Sequence, residues 1–338
     1  ALRVGPARRT AMHRSLIPVA TALALLPFAA ALAPSSAAAA DLVLVTPLGG
    51  QEGEFCAMDR AFVFEDPNGT RILYDAGRTV AGADDPRLGR IDIVLVSHVH
   101  GDHVGDHRLP AVNTGTCAEP DASVSTTPLS NSVEIAVATG ATIVTGSEMP
   151  AFFAKRLEAA EGDPAKSLGV RFGGNRNVSG VSITTVPAAH SNGLGPDFIG
   201  GALAEMMREA GIAGDVGPPT GYVLTFSNGL VVYLSGDTGI TAEQELVVRG
   251  HYGAKLVVMN IGDVFTTGPK EAAYVINELV QPASVIPSHA NEEATRNGEV
   301  LPETRTAAFI AASEVPVHVP LSGRTMSFDA AGTCVEGC

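Results

Sequence analysis

Ile91-Asp-Ile-Val-Leu-Val-Ser-His98-Val-His100-Gly-Asp102-His103-Val-Gly-Asp106 is the stretch whose reading decides the fold. A continuous apolar run reads as a strand buried on both faces, and the polar cluster falls where that strand ends. Three imidazoles and a carboxylate then crowd into six residues. Neutral imidazole and ionised carboxylate are ligands that a divalent ion takes, so such a loop is costly to explain without a metal. His98 and His100, two apart on extended chain, point the same way. Asp102 and His103 follow Gly101, whose freedom in φ lets the chain turn toward a neighbouring point. The spacing therefore predicts two metal positions. Chance is a poor alternative, because the chain has nine histidines and three lie in this hexapeptide.

Working outward, residues 42–46, 61–65 and 71–74 read as short strands, with Asp66-Pro-Asn-Gly joining the last two and Asp75-Ala-Gly following. Residues 181–186 alternate as a strand that delivers His190. Residues 222–226 and 230–234 form a hairpin across Ser227-Asn-Gly that ends at Asp237. A buried strand over 256–260, a helix over 269–279 with Pro269 in its first turn, and a further strand then lead to His289. Polar residues just past strand ends, with helices between the strands, predict an α/β sandwich of two sheets covered by helices, the site lying on one edge.

His-x-His-x-Asp-His at a strand end, Val186-Pro-Ala-Ala-His190-Ser-Asn-Gly, Tyr233-Leu-Ser-Gly-Asp237-Thr-Gly and Val285-Ile-Pro-Ser-His289 together resemble the metallo-β-lactamase-fold superfamily. The resemblance spans roughly residues 42–290 and implies the αββα sandwich of that fold. It also implies that His98, His100 and His190 hold one metal, that Asp102, His103 and His289 hold the other, and that Asp237 bridges them. Asp75 would brace the histidine loop. The ions implied are two divalent cations, zinc foremost, although manganese and iron suit the same donors. Hydrolysis by a metal-bridging hydroxide follows from this pattern, with Asp102 or Asp237 as the candidate proton donor to the leaving group. Asn260-Ile-Gly-Asp-Val-Phe-Thr-Thr-Gly-Pro-Lys-Glu-Ala-Ala looks like the branch containing ascorbate-6-phosphate lactonase, which points to a lactone or other carboxylic ester. Antibiotic-hydrolysing members generally lack an aspartate where this chain has Asp237, and redox di-iron members carry glutamate where it has His100. A dedicated β-lactamase and oxygen or nitric oxide reduction are therefore disfavoured. The alternatives kept are a phosphodiesterase on small phosphoesters and a non-catalytic metal-binding protein of the periplasm.

Residues 1–40 read as a secretory signal peptide: Arg14 precedes an alanine-rich apolar run interrupted by prolines, and Ala38-Ala39-Ala40 offers a cleavage site before Asp41. The remainder, 41–338, is expected to be one metallo-hydrolase domain, periplasmic or secreted, with no stable membrane association after cleavage. Removing the four arginines of the leader leaves 18 basic against 36 acidic residues, a net charge of about −18. Such a field repels phosphate backbones, so no nucleic-acid partner is expected and a small-molecule substrate is. Oligomeric state is not encoded in any recognisable motif. Four cysteines suit an oxidising compartment and allow three connectivities. The expected pairs are Cys56 with Cys117 and Cys334 with Cys338, a zinc tetrad being the alternative.

Residues 108–140 read as a long loop, and 148–160 as a helix with Phe152, Phe153 and Leu157 inward. A helical insertion at about 195–220, flanked by glycine and proline, is a candidate lid. Tyr222, Tyr233 and Tyr252 are candidate donors to a developing oxyanion, and Asn192, Asp263 and Thr266 are candidate pocket residues. No arginine cluster for a phosphate stands beside the ligand motifs in the sequence. If the substrate is a phosphoester, the long 108–140 loop and Arg171 or Arg176 are the places to look for that clamp.

Overall fold

The computed structural model describes residues 41–338, and the leader expected over residues 1–40 lies outside the described residues. Two mixed sheets face one another. The first runs, edge to edge, Cys334–Glu336, Met326–Phe328, Val43–Leu48, Ala61–Glu65, Arg71–Tyr74, Ile93–Val96, Thr142–Thr145 and Ser167–Gly169. The second runs Ser284–Ser288, Leu256–Asn260, Val231–Leu234, Thr220–Thr225, Val181–Pro187 and Asn175–Val178. In each sheet antiparallel hairpins give way to parallel strands, from Arg71–Tyr74 onward in the first and from Val231–Leu234 onward in the second. Parallel strands finish at a common edge, so residues carried just past their ends collect in one place.

The apolar faces explain the layering. Phe64, Tyr74 and Leu95 from the first sheet share a core with Tyr222, Leu234 and Ile286 from the second. On the outer face of the first sheet, Val94 and Ile143 pack with Val133 of the helix Asn131–Thr139 and with Phe153 and Leu157 of Met149–Ala159. On the outer face of the second, Val257 and Val285 pack with Val248, Ala272 and Phe309 of three further helices. The result is the expected helix–sheet–sheet–helix sandwich. Among the described residues no helix is long and apolar enough to cross a membrane.

Several elements differ from the sequence reading. Within the stretch read as loop, Asn131–Thr139 is helical: the Ser130 hydroxyl accepts from the Val133 N–H at 3.2 Å, and Val133, Ile135 and Ala136 are buried. Its nine residues carry too short an apolar period to stand out beside the Ser/Thr/Pro-rich chain before it. The helix from Pro269 changes winding at Val275 and continues with wider turns to Val280. Met326–Phe328 and Cys334–Glu336 close the first sheet beside Val43–Leu48, each only three residues long and so without a readable alternation. Phe152 is only half-buried, edge-on to Phe198 and beneath the Arg156 guanidinium.

Cys56 and Cys117 are paired, with Cα atoms 4.6 Å apart, and Cys334 is paired with Cys338, as the sequence reading expected. The first bridge fixes a loop that Asp59 also holds, accepting from the Gly50 N–H at 2.8 Å and the Cys56 N–H at 2.7 Å. Burial pushes the Asp59 carboxyl up to about 7 despite these donors. The native state thus retains a proton that the unfolded chain releases near pH 4, so native stability falls as pH rises from about 4 to about 7, by at most about 4 kcal/mol. Asp59→Asn is expected to flatten this slope, at a cost of about 1–3 kcal/mol for leaving one backbone donor facing an amide nitrogen. Urea unfolding at several pH values checks this, and a parallel slope in the variant would refute it.

Candidate metal centre

The strand Ile93–Val96 ends against Ser97, and the chain then delivers His98 and His100 before a single helical turn, Gly101–Val104, turns Asp102 and His103 inward. The chain does turn at Gly101, without a left-handed φ. Glycine is there for space: a Cβ would lie 2.3 Å from the Asp106 carboxylate. Gly236 is the residue that does need positive φ, at 58°, and its bare Cα lets the Asp237 loop approach Ser97.

Asp237 sits among the imidazoles. Its carboxylate lies 3.1 Å from His289 Nε2, 3.3 Å from His103 Nε2, 3.7 Å from His190 Nε2 and 4.0 Å from His98 Nε2. His98, His100 and His190 converge as one group, with His98 Nε2 3.0 Å and His190 Nε2 3.3 Å from His100 Nδ1. Asp102, His103 and His289 converge as another, with Asp102 Oδ2 3.4 Å from His289 Nε2. All seven residues expected as ligands are therefore brought to one place. His103 Nε2, His289 Nε2 and Asp237 Oδ1 are buried without a hydrogen-bond partner. Buried polar atoms are normally satisfied, and three orphans aimed at one another, in a nitrogen and oxygen donor set, fit a divalent ion.

Against burial, Asp237, Asp102 and Asp75 hold His103 well above the usual imidazole range, a counter-charge that a bound cation would replace. Burial opposes ionisation of Asp237, yet His103 and His289 against it hold the carboxyl well below the usual range. Asp102 is likewise held down against burial by His103, His289 and Arg60. Burial depresses His98, His100 and His190, which favours their neutral, metal-binding form.

A second layer of side chains orients these groups. Asp75, at φ 42°, accepts from the Ser97 N–H at 2.8 Å and the Ser97 hydroxyl at 2.7 Å, and faces His103 Nδ1 at 2.8 Å. This is the bracing role the sequence reading expected of it. Arg60 donates through Nε and Nη2 to Asp102 Oδ2 at 3.2 and 3.1 Å, and through Nη2 to Asn291 at 2.6 Å. Nothing in the sequence marks Arg60, because 42 residues separate it from Asp102. Asn192 accepts from the Val99 N–H at 2.9 Å and so pins the histidine loop.

A cavity of about 750 Å³ opens above His100, Asp102, His190, Asp237 and His289. Asp263 lines it as expected. The tyrosines do not: Tyr222 is buried and donates to the Val96 carbonyl at 2.6 Å, Tyr233 is buried in the outer core, and Tyr252 packs beside that core. Met206 is exposed and Met207 buried on the helix Gly201–Ala210. The 195–220 segment does not line this cavity but borders a separate recess of about 420 Å³ behind His190 and Asn192. Arg171 and Arg176 also lie elsewhere, engaged with Glu148 and the Gly169 carbonyl. In their place the fold brings Arg60, Arg78 and Arg305 to the cavity wall, an arginine group that the sequence reading did not see.

Two sheets between helix layers, with a His/Asp cluster past the parallel strand ends, define the metallo-β-lactamase fold. Residues 70–290 match the beta-lactamase superfamily domain, and the chain belongs to that superfamily as a metal-dependent hydrolase. It is 30% identical to a UPF0173 metal-dependent hydrolase of Cupriavidus necator over 92% of this chain and 97% of the relative. It is 32% identical to one of Thermococcus onnurineus over 68% of this chain and 80% of the relative. Among solved structures, the metallo hydrolase Igni18 of Ignicoccus hospitalis superposes with a TM-score of 0.53 at 21% identity, covering 85% of this chain and 99% of its own. YhfI of Bacillus subtilis, a metallo-beta-lactamase fold protein, superposes with a TM-score of 0.51 at 13% identity, covering 85% and 99%.

Proposed function

We propose that this protein is an exported binuclear hydrolase that opens a lactone or another carboxylic ester. The observation that carries the binuclear reading is Asp237, whose single carboxylate faces imidazoles of both ligand groups. His98, His100 and His190 would hold one ion, and Asp102, His103 and His289 the other, with Asp237 shared. Divalent ions held there would supply Lewis-acid polarisation of a carbonyl and would acidify a water near neutral pH. The protein contributes the rest. Asp75 and Ser97 fix the orientation of the His103 and His98 rings. Asp102, the more exposed of the two ligating carboxylates, opens onto the cavity; held ionised, it would first take the proton that the attacking water gives up and then hand it to the leaving oxygen. Arg60, by holding Asp102 through two N–H groups, sets the direction of that transfer.

The state of the wall arginines supports a neutral ester over a phosphoester. Arg60 is committed to Asp102, Arg78 grips Asp106 at 2.7 and 2.8 Å, and Arg305 lies 3.6 Å from Glu292. Each guanidinium already faces a carboxylate, so the wall is close to neutral. The likeness of residues 260–273 to the ascorbate-6-phosphate lactonase branch supports ring opening as well. The second reading, a phosphodiesterase, rests on the same three arginines, because a phosphate able to displace their carboxylates would find planar bidentate donors there. The test is kcat/KM of the zinc-loaded 41–338 protein for a γ-lactone panel against that for a bis-aryl phosphodiester. A ratio well above one is expected. A ratio well below one moves the reaction to phosphoryl chemistry.

A further inference from the structure

The loop leaving the strand Leu256–Asn260 overhangs the centre, and its tip is anomalous. Asp263 and Val264 both adopt left-handed backbone, at φ 61° and 60°. Such a conformation is a strained outlier for a β-branched residue. The base of the loop holds it there: Thr267 donates its N–H to the Thr238 carbonyl at 3.1 Å and its hydroxyl to the Asn260 carbonyl at 2.9 Å, while Asn260 Nδ2 donates to the Thr267 hydroxyl at 2.8 Å. The Val264 N–H is taken by the Asp263 carboxylate at 2.7 Å. What this strain achieves is exposure. Val264 and Phe265 stand 80% and 73% exposed at the cavity mouth, beside a floor made by Asp237 and His289. Met58, on the loop fixed by the Cys56–Cys117 bridge, lines the same cavity.

An isolated exposed apolar residue needs no explanation. Two adjacent ones, held up by strained backbone over a catalytic cavity and sharing its lining with a third, do, because strain persists at sites where it positions a ligand. We propose that Val264 and Phe265 form an apolar clamp, closing against Met58, for the hydrophobic substituent of the substrate. The preferred substrates are then esters or lactones bearing an alkyl or acyl chain of several carbons. This rests on the carboxylic-ester reading above.

The test uses straight-chain alkyl hydroxamates, from acetyl to decanoyl, titrated calorimetrically against the zinc-loaded protein. Affinity should rise about two- to fourfold per added methylene, the scale of moving a CH2 out of water, and the slope should collapse toward one in Val264→Ala/Phe265→Ala. Leu246→Ala, which truncates an exposed leucine remote from the cavity lining, should keep the native slope. An affinity independent of chain length, a slope unchanged in the double variant, or no binding by the longest homologue overturns the clamp. If the chain-length slope holds but no ester or lactone is hydrolysed, the clamp stands and the carboxylic-ester reading fails.

Discussion

Asp237→Asn is expected to lower kcat/KM by on the order of 10³-fold, the scale seen when a group that stabilises developing charge is removed, and to reduce bound metal from two ions toward one per chain. The argument is electrostatic and local. Asp237 is buried, and among the described residues its carboxylate is the one that stands within 4.0 Å of imidazoles from both ligand sets, the Ser97 hydroxyl being the neutral group that also reaches both. Asparagine has the same shape, so packing survives, but it replaces an anionic oxygen with an amide nitrogen that has no lone pair to offer. Two dications held side by side by neutral imidazoles would then have the Asp102 carboxylate as their one remaining anionic ligand. Metal content after dialysis, read beside kcat/KM on one substrate, decides the matter, and circular dichroism in chelator separates loss of metal from loss of fold. A variant that kept both ions and its turnover would contradict a shared carboxylate.

The ligands were legible in the sequence because their chemistry is punctual. Each sits within a few residues of a strand end, and imidazole and carboxylate are rare enough in apolar surroundings to be noticed at His98, His190, Asp237 and His289. The supporting shell was legible only where it shared a motif. Asp75 could be placed because the superfamily that the motifs resemble carries a bracing aspartate after the third strand. Arg60 reaches Asp102 from the disulfide-braced loop, and Asn192 reaches the Val99 N–H from beyond Pro187, contacts that only the packing of two sheets creates. The tyrosines failed for the opposite reason. A phenol can serve equally as a core residue with one buried hydrogen bond or as a site donor, and Tyr222 is the former, its hydroxyl spent on the Val96 carbonyl. The same ambiguity hid Asn131–Thr139, whose burial comes from the sheet it covers rather than from its own period.

Charge teaches a related lesson. A strongly acidic composition and the absence of basic residues near the ligand motifs argued against anions, yet three arginines meet at the cavity wall. Their effect is muted because the fold supplies each with a carboxylate. Net charge therefore describes the far field, and the near field is set by pairing.

Pairing also underlies the second large effect: Asp75→Asn should weaken metal binding by about 10- to 100-fold, the range for losing an outer partner of a ligating histidine. Asp75 accepts two bonds from Ser97 and faces His103 Nδ1 at 2.8 Å. With a carboxylate there, His103 keeps a proton on Nδ1, so that Nε2, which faces Asp237 and Asp102, is the nitrogen whose lone pair a metal would take. Asparagine can keep the Ser97 N–H bond through its oxygen, but its amide then donates to Nδ1 and forces the proton onto Nε2, where it occupies the lone pair a metal needs. The backbone should tolerate the change, since asparagine is among the residues that accept the left-handed φ of 42° found at Asp75. Ser97→Ala, which leaves the Asp75–His103 pair intact, should weaken binding less. Zinc affinities from competition with a chromogenic chelator test the order wild type, Ser97→Ala, Asp75→Asn. Equal affinity in wild type and Asp75→Asn would mean that the His103 tautomer is set by the metal alone, and that Asp75 serves only to hold the turn after the third strand.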